Sequence, residues 1–332
     1  MIIDMQDKWY IFQKDDKSWG NILKEFDESS FLNDIEWANH LGNLGWKTLR
    51  LIKTRNNLKG SKTLIQAFIK YLPFSTAIIW IPGGIIGDNI NLVGFQEELK
   101  LILKARFCFI RIRCHQSYDF YNEINFFKNC WKRPLVSLSS RYKVILNLNN
   151  SPKIIQNNFS RGWYRSLKKS KKNNLKIIRI DKHEIIANLY KEMKLNKSLK
   201  QKNIYSKKEC KSIMKAFRKK ILVLGAVDES SNICSIRGVI IRDRTIYDIF
   251  AATNKKGRLY SASHLVIYSI LKEFFNKDFS EYDLSNIDPE NSFGVYNFKK
   301  GLGGKVIYTL GEFEWANSLL LKLLINLYFL FK

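Results

Sequence analysis

The residues of this chain that could do chemistry concentrate in one segment, Glu281–Phe313, which reads EYDLSNIDPENSFGVYNFKKGLGGKVIYTLGEF. Its pattern predicts a buried strand at Tyr282–Ser285 and then a polar turn that Asp288-Pro289 closes. A short amphipathic helix follows, after which Gly303-Gly304 lets the chain reverse into a second strand at Val306–Leu310. The segment therefore brings strand-end carboxylates close in sequence to a lysine-bearing helix.

The helix of this segment combines aromatic and basic residues. We expect it to bury its aromatic side chains, which are Phe293, Tyr296 and Phe298. It is predicted to end at Gly301, the residue best able to take the left-handed conformation after a helix. Lys299 and Lys300 fall in the last turn, where the helix dipole favours cations. A capped helix with two solvated lysines is the alternative interpretation.

The segment also joins three strings of residues in a fixed order. They are Asp-Leu-Ser-x-Ile-Asp after a strand, then Gly-Val-Tyr-x-Phe-Lys-Lys-Gly-x-Gly-Gly, then a strand that ends Gly-Glu-Phe. This combination resembles the C-terminal signature of the FemABX aminoacyltransferases, which move an amino acid from aminoacyl-tRNA onto the peptide of a peptidoglycan precursor. Weaker similarity extends over most of the chain, in Ser30–Trp46, Ile79–Gly84 and Trp163–Ser170.

The resemblance implies an α/β fold made of two tandem GNAT-like domains with mixed central sheets. Only about forty residues separate Ile180 from Ile221, too few for the long helical-hairpin arm of some family members. Two halves with a similar order of strands and helices agree with this fold, and the polar turn at Asn147–Pro152 separates them. In the second half, apolar spacing predicts helices at Ile154–Lys172, His183–Ser198 and Ala262–Asn276, and alternation over Ile240–Ile249 predicts strands. We expect a precursor-binding domain at 1–149, a transfer domain at 150–312 and a C-terminal apolar helix at 313–332 that packs back on the first domain.

The resemblance also implies roles for residues of the signature. Lys299 matches the lysine after Phe, which implies a position near the transferred acyl group or the tRNA terminus. Phe298 would pack against it or stack on the terminal adenine. Asp283 and Asp288 could orient the attacking amine, with strand-end and turn aspartates as the alternative. These assignments make Lys299, Phe298 and Asp283 catalytic candidates, and Tyr296 and Asp288 substrate-binding candidates.

Basic residues on a predicted helix form the second group of candidates. At a spacing of three to four residues, several share one helical face; they are Arg161, Arg165, Lys168, Lys169 and Lys172. That face could bind a pyrophosphate or follow a tRNA backbone, and a solvated face is the alternative. In the first half, candidates to line the precursor pocket are Lys47, Arg50, Pro82, Gly83 and Gly84. Arg113-Cys114-His115 departs from the family pattern, which leaves the acceptor open.

The net charge of +26 is distributed unevenly along the 332 residues. Ser151–Lys220 holds 22 Lys or Arg and 4 Asp or Glu, a density that attracts phosphate-bearing partners. A tRNA, a nucleotide-linked sugar and an anionic lipid surface all qualify, whereas lysine-rich composition alone would not localise the charge. We expect aminoacyl-tRNA and a UDP- or lipid-linked muropeptide as partners of a monomer.

Other features of the composition bound the remaining functions. Five cysteines without CxxC or metal-ligand spacing predict no disulfide framework and no metal, and we expect no cofactor beyond the donor substrate. Met1–Asp7 has no apolar run, so no secretory signal is expected and the protein is placed in the cytoplasm. The apolar tail Trp315–Phe331 fits a packed helix, an in-plane contact with the inner face of the membrane, or a span.

Two rival functions remain at this stage. A GNAT-type N-acyltransferase would use acyl-CoA or acyl carrier protein on a sugar or peptide amine, but Lys255–Ala262 lacks the glycine spacing of a pyrophosphate loop. A non-catalytic protein that binds tRNA or a membrane surface would fit the charge and the tail. The four histidines, which are His40, His115, His183 and His264, are expected to be structural or solvated.

Overall fold

A computed structural model describes residues 8–54, 62–87, 92–195 and 204–331. Within these ranges the strands are β1 Trp9–Ile11, β2 Lys47–Thr54, β3 Lys62–Leu72, β4 Thr76–Ile81, β5 Ile85–Ile86, β6 Phe107–Ser117, β7 Tyr142–Asn147, β8 Lys176–Arg179, β9 Ile221–Val227, β10 Ile233–Arg242, β11 Thr245–Thr253, β12 Glu281–Ile287 and β13 Lys305–Ala316. The helices are α1 Asp16–Leu23, α2 Ile35–Asn43, α3 Phe95–Leu103, α4 Phe120–Lys128, α5 Pro152–Asn157, α6 Arg161–Lys172, α7 His183–Leu195, α8 Lys207–Ala216, α9 Lys255–Leu259, α10 Ala262–Phe274, α11 Phe293–Lys300 and α12 Leu319–Phe331.

The chain forms two compact units. The first unit contains Met1–Arg141 and Tyr308–Lys332, and the second contains Tyr142–Ile307. In the first unit the strand order is β1-β2-β3-β4-β6-β13, with β5 paired to β3. Only the β4·β6 pair is parallel among the strands described here. Strands buried on both faces, such as β3, and the stacked rings of Phe126 and Phe313, 4.0 Å apart, form its core.

The second unit repeats the mixed architecture. Its strand order is β7-β12-β11-β10-β9-β8, and β11·β12 is its parallel pair among the described strands. Helices α6 and α10 contribute Trp163, Val266 and Ile270 to a core that also buries Leu284 of β12. Both units therefore have mixed central sheets with helices packed on them, which confirms the predicted α/β fold class.

Two irregularities interrupt the strand pairing of the second sheet. The β10·β11 register shifts between Gly238 and Val239, and the β12·β7 register shifts between Asp283 and Asn286. Strands β11 and β12 pair from Thr245 and Glu281 as far as Tyr247 and Asp283, and each strand then continues without pairing to the other. Because bulges re-aim side chains and end strand pairing, β11 and β12 separate beyond these residues.

Several sequence-based boundaries differ from the structure. Strands β3 and β7 were not expected, and the predicted helix Ile154–Lys172 is two helices, because Ser160 starts α6 by accepting a hydrogen bond from the Trp163 amide at 3.3 Å. The tail helix begins at Leu319, since Trp315 still belongs to β13. The expected continuation of α7 to Ser198 and the Met1–Asp7 terminus lie outside the described residues. No helix in the described part of the chain has both the length and the apolar character needed to cross a membrane.

Candidate active site around Lys299

Lys299 is the buried residue of helix α11. Its side chain is only 7% exposed, and its Nζ donates a hydrogen bond to the Asn286 carbonyl at 2.9 Å. The prediction that this helix turns its aromatic residues inward holds for Tyr296 and Phe298, which pack half-buried against the core, and is wrong for Phe293, which is 64% exposed. The helix turns its lysine inward because the shifted register of β12 brings the Asn286 carbonyl within reach of Lys299.

A buried ion pair lies near Lys299, on strands that sequence analysis did not single out for chemistry. Arg237 of β10 donates to Asp248 of β11 at 2.5 Å, and the Tyr282 hydroxyl donates to the other oxygen of Asp248 at 2.9 Å. All three side chains are buried or nearly so. Because a lone buried charge is costly and a paired one is tolerated, this arrangement holds a carboxylate and a guanidinium in the interior of the sheet.

The electrostatics of Lys299 follow from this surrounding. The pKa of Lys299 is lowered from 10.5 to about 8, chiefly by burial; the positive charge of Arg237 acts in the same direction, and the negative charges of Asp248 and Asp283 oppose both. Because this pKa lies above 7, Lys299 is mainly protonated at neutral pH. One of the three ammonium hydrogens is used on Asn286, which leaves two donors for a ligand.

Phe298, the residue before Lys299, lies in an aromatic cluster. Its ring centroid is 4.9 Å from His264 and 6.3 Å from Trp163, and the Arg237 guanidinium lies 5.1 Å above the ring. Burial lowers the pKa of His264 to about 4, so this imidazole is neutral at pH 7. Phe298 therefore packs against these three side chains, and the roles expected for it, packing against Lys299 or stacking on the terminal adenine, stay predictions.

The remaining candidates of the signature differ in how they are engaged. Asp283 accepts from Lys143 Nζ at 3.3 Å and from the Ser285 amide at 2.7 Å, and its charge acts on Lys299. Asp288 accepts from the amides of Glu290 and Asn291 and organises the turn before α11. The Tyr296 hydroxyl accepts from Lys300 Nζ at 2.9 Å. Asp283 therefore bonds to Lys143 and acts on Lys299 through its charge, whereas Asp288 has the contacts of a turn aspartate.

The basic residues of α6 all lie on its outward side. The helix buries Trp163, Leu167 and Ser170 and exposes its cations; the predicted set is Arg161, Arg165, Lys168, Lys169 and Lys172. Within the described residues none of these five forms an ion pair with a carboxylate. The face therefore keeps its positive charge available for an anionic ligand.

Helix α6 and helix α11 meet through backbone contact. The Ser160 amide donates to the Gly301 carbonyl at 2.8 Å, and a Cβ on Gly301 would lie 3.0 Å from Trp163 Cδ1. The expectation that Gly301 is left-handed is wrong, because its φ is −62° and the left-handed residue is Gly303, with φ of 81°. Gly301 is needed for close approach, and the contact joins the basic helix to the helix that carries Lys299.

The candidates of the first unit are engaged in local structure. Arg50 donates to Asp16 at 2.5 Å and to Gln66 at 2.9 Å, whereas Lys47 is exposed with its ammonium over the Tyr71 ring. The turn formed by Pro82, Gly83 and Gly84 is buried; the Gly83 carbonyl accepts from Asn33 and the Pro82 carbonyl contacts His115 Nε2 at 2.7 Å. Their role in binding a precursor stays a prediction.

A metal centre has no candidate in the described part of the chain, where no group of three or more His, Cys, Asp or Glu side chains could hold an ion. Sequence reasoning found Lys299 and missed Arg237, Asp248 and Tyr282 as its surroundings. A signal existed in the pattern, since Arg237 and Asp248 each interrupt an apolar strand, ICSIRGVI and TIYDIFAA. A charge in the middle of a buried strand is expected to be paired or functional.

Comparisons with known proteins support the fold and name a family. Residues 174–328 match the model of the FemAB family. The crystal structure of FemX is similar with a TM-score of 0.74 at 15% identity, over 96% of this chain and all of FemX. A tandem GNAT protein from the clavulanic acid biosynthesis pathway gives a TM-score of 0.60 at 9% identity, over 94% of this chain and 98% of that one. L-PGS from Bacillus licheniformis is similar with a TM-score of 0.51 at 12% identity, over 94% of this chain and 96% of that one. No curated protein matches the sequence.

Proposed function

We propose that this chain, which belongs to the FemAB family by the match over residues 174–328, is an aminoacyltransferase. Its donor in this proposal is aminoacyl-tRNA, and its acceptor is an amine on the peptide of a peptidoglycan precursor. The coarser statement, a transferase of acyl groups, follows from the family and from the GNAT-like fold. The observation that carries the finer proposal is the buried, mostly protonated Lys299 beside the separation of β11 and β12.

The reaction requires charge stabilisation more than covalent chemistry. The neutral acceptor amine attacks the carbonyl carbon of the aminoacyl ester, so that a C–N bond forms and negative charge develops on the carbonyl oxygen. The C–O bond to the ribose then breaks, and the proton lost by the amine leaves with the ribose oxygen. The Lys299 ammonium, with two free donors in a buried site, is suited to stabilise that oxyanion.

The balance of charges at the site supports an anionic transition state. Lys299, Arg237 and Lys143 supply three positive charges, against the two carboxylates of Asp248 and Asp283. Arg237 and Lys143 are each bonded to a carboxylate, so the charge left over is that of Lys299. In this proposal the incoming amine is oriented by Asp283, the carboxylate whose charge also acts on Lys299.

The donor would be held by the outward face of α6. Phosphates bind readily to arginine and lysine, and this face carries cations without acidic partners among the described residues. The Ser160–Gly301 hydrogen bond ties the start of α6 to the end of α11. A tRNA bound along α6 would therefore have its charged backbone anchored on the element adjacent to the Lys299 helix.

A transfer assay tests the proposal. Purified protein is given tRNA charged with radiolabelled amino acids and, in parallel, labelled acyl-CoA, each with a UDP-linked muropeptide as acceptor. We expect label to move from tRNA to the muropeptide, and Lys299→Ala to reduce the rate by about 10²–10³-fold, the loss typical of one oxyanion donor. Lys300→Ala is the matched control, because Lys300 is exposed and bonds to Tyr296.

The competing outcomes are distinct. Transfer from acyl-CoA and not from tRNA would overturn the proposal in favour of an N-acyltransferase, the function that the fold of the tandem GNAT protein would accommodate. In the position of a glycine-rich pyrophosphate loop, however, this chain has the short helix α9. Equal activity of both alanine variants and the unchanged protein would remove Lys299 from the mechanism.

A further inference from the structure

The C-terminal helix α12 is attached to its unit by polar side chains. Asn326 is buried, and its Oδ1 accepts from Arg111 Nη2 at 3.1 Å and from the Val136 amide at 3.2 Å. Its Nδ2 donates to Glu314 Oε1 at 3.1 Å, and Lys322 Nζ lies 3.2 Å from the same oxygen. Arg111 and Glu314 are themselves a buried pair at 2.5 Å. The helix thus contacts a charged network with its few polar residues.

Most apolar residues of α12 point away from this network; the exceptions include Ile325, which is buried, and Phe329, whose ring centroid lies 4.7 Å from the Arg111 guanidinium. Eight large apolar or aromatic side chains of this helix are between 42% and 83% exposed; they are Leu319, Leu320, Leu323, Leu324, Leu327, Tyr328, Leu330 and Phe331. Most recur at spacings of three, four and seven, which places them on one side of a helix. We call this set the leucine face.

The length and the polarity of α12 identify what would cover the leucine face. An exposed, continuous apolar patch marks an interaction site. The 13 residues of α12 rise about 20 Å, well short of the roughly 30 Å of a bilayer core. A helix of this length with one strongly apolar side is suited to lie in the plane of a membrane surface with that side among the lipid chains.

The charge around α12 indicates the kind of surface. Residues 100–141, which include β6 and the segment bonded to α12, contain nine Lys or Arg and two Asp or Glu. Four of the nine cations are paired with carboxylates; they are Lys100, Arg111, Arg133 and Arg141. Two others, Arg106 and Lys132, are exposed, and their backbones bond to residues that precede α12. The Arg106 carbonyl accepts from Asn317 just before α12, and the Lys132 amide donates to the Glu314 carbonyl. Positive charge beside an apolar helix favours anionic lipid headgroups.

We propose that the leucine face of α12 docks the first unit onto a bilayer surface rich in anionic lipid, with the helix in the plane of the interface. The docking is separate from the proposed transfer reaction, because it rests on α12 and its surroundings alone. For a transferase with a lipid-linked acceptor it would bring enzyme and acceptor to the same surface.

Vesicle flotation of the full-length protein tests the docking. One set of vesicles contains phosphatidylglycerol and phosphatidylcholine in equal parts, and the other contains phosphatidylcholine alone. We expect binding to the anionic vesicles that weakens with salt, and a loss of at least about tenfold in the Leu320→Glu/Leu324→Glu variant. Both leucines are exposed and one turn apart, so their replacement leaves the buried contacts of Asn326 in place.

Leu101→Glu is the matched control, since Leu101 is 75% exposed on α3 of the same unit and outside the leucine face. It is expected to bind vesicles like the unchanged protein. Absence of binding to either vesicle, or equal binding by the double variant, would overturn the proposal. So would a lipid-free dimer in sedimentation velocity that the double variant converts to monomer, because the leucine face would then be a contact between copies.

Discussion

At the scale of single residues, the unusual property of this protein is a lysine inside a sheet protein. Burial of apolar side chains stabilises a folded protein, whereas burial of a charged group costs free energy. Lys299 is buried and is nevertheless charged at neutral pH. A function that needs the charge explains why the cost is tolerated, since active sites commonly reduce stability. Stability and transfer should therefore respond to Lys299 in opposite directions.

Replacing Lys299 with methionine tests this directly. The methionine keeps most of the stem and removes the charge. Because one pKa unit corresponds to about 1.4 kcal/mol, we expect stability at pH 7 to rise by up to about 3 kcal/mol, reduced by loss of the bond to Asn286. The unfolded state binds the proton more tightly, so the penalty in the unchanged protein fades between the folded pKa of about 8 and the unfolded 10.5. Urea unfolding of both proteins across pH 6–10 measures the difference in their free energies of unfolding and how it changes with pH.

The contrary result would be a methionine variant that is less stable than the unchanged protein at pH 7 and whose free energy of unfolding changes with pH in the same way as that of the unchanged protein. Lys299 would then be stabilised by its contacts rather than penalised by burial. The transfer rate of the same variant, followed at fixed pH, separates loss of charge from loss of the fold.

The partner charges of Lys299 predict a shift in the pH profile. Asp248→Asn removes a negative charge that raises the pKa of Lys299 and leaves Arg237, which lowers it. We expect the alkaline decline in transfer rate, which follows deprotonation of Lys299, to move to lower pH by at least about half a unit. The variant also leaves Arg237 with a weaker partner, so a lower melting temperature is expected. Tyr282→Phe removes one bond to Asp248 and no charge, and its alkaline limb should stay in place.

At this scale the sequence predicted the reacting group but not its environment. Lys299 was found because its neighbours in the chain form a recognisable string. Arg237 and Asp248 lie on different strands, and their pairing depends on the register shift at Gly238/Val239. A one-residue shift in register reverses which side a residue faces, so no local pattern could have placed these two charges together.

At the scale of elements, the basic helix α6 carries the prediction about the donor. Changing Arg165, Lys168 and Lys169 to glutamine should weaken tRNA binding and flatten its salt dependence by up to about three phosphate contacts. A filter-binding titration from low to moderate salt measures the slope. The control removes the same charge from α8 through Lys208, Lys211 and Lys215, which are also exposed. Equal losses in both triple variants would show that only the net charge matters.

The attachment of α12 predicts an effect on stability. In Asn326→Leu, Arg111 and Glu314 each lose a hydrogen-bond partner inside the first unit. We expect a loss of about 1–3 kcal/mol, the usual cost of a buried polar group left unsatisfied. Thermal or urea unfolding measures this loss, and Leu323→Ala on the exposed side should change it little. Unchanged stability in Asn326→Leu would mean that α12 is held by other contacts.

Elements were predictable where a pattern was strong and uninterrupted. The apolar stripe of α10 and the alternation around β10 and β11 were found within a few residues of their observed bounds. Strand β7 was missed because it lies next to the polar turn that was taken as a boundary. The inward side of α11 was predicted only in part. Tyr296 and Phe298 pack against the core as expected, but Phe293 is exposed and Lys299 is buried. The bond from Lys299 to the Asn286 carbonyl is a tertiary contact, which the helical pattern does not encode.

At the scale of the whole molecule, positive charge is divided unequally between the units. Residues 142–307 contain 34 Lys or Arg and 14 Asp or Glu, whereas the first unit has 22 and 16. The net charges are therefore +20 and +6. Polyanions are drawn to the stronger field, so the second unit should make most of the contact with tRNA.

Hydrogen exchange in the presence of tRNA that carries no amino acid tests this division of charge between the units. Protection is expected at the amides of α6 and neighbouring basic segments of the second unit, with little change in β2–β4 of the first. The same experiment with anionic vesicles should instead protect α12. Protection by tRNA in the first unit alone would contradict the assignment of the donor surface.

The crowding around Gly301 has a consequence for related sequences. The glycine has an ordinary helical conformation, so what restricts it is the space at its α-carbon, where a Cβ would lie 2.8 Å from the Asn297 carbonyl oxygen, 3.0 Å from Trp163 Cδ1 and 3.1 Å from Ser160 Oγ. A smaller residue at 163 would relieve one of these three contacts and leave the contact with the backbone. Relatives in which the two helices meet in the same way should therefore keep glycine at 301 whatever residue stands at 163, and a sequence profile that reads this glycine as a helix stop assigns its constraint to the wrong cause.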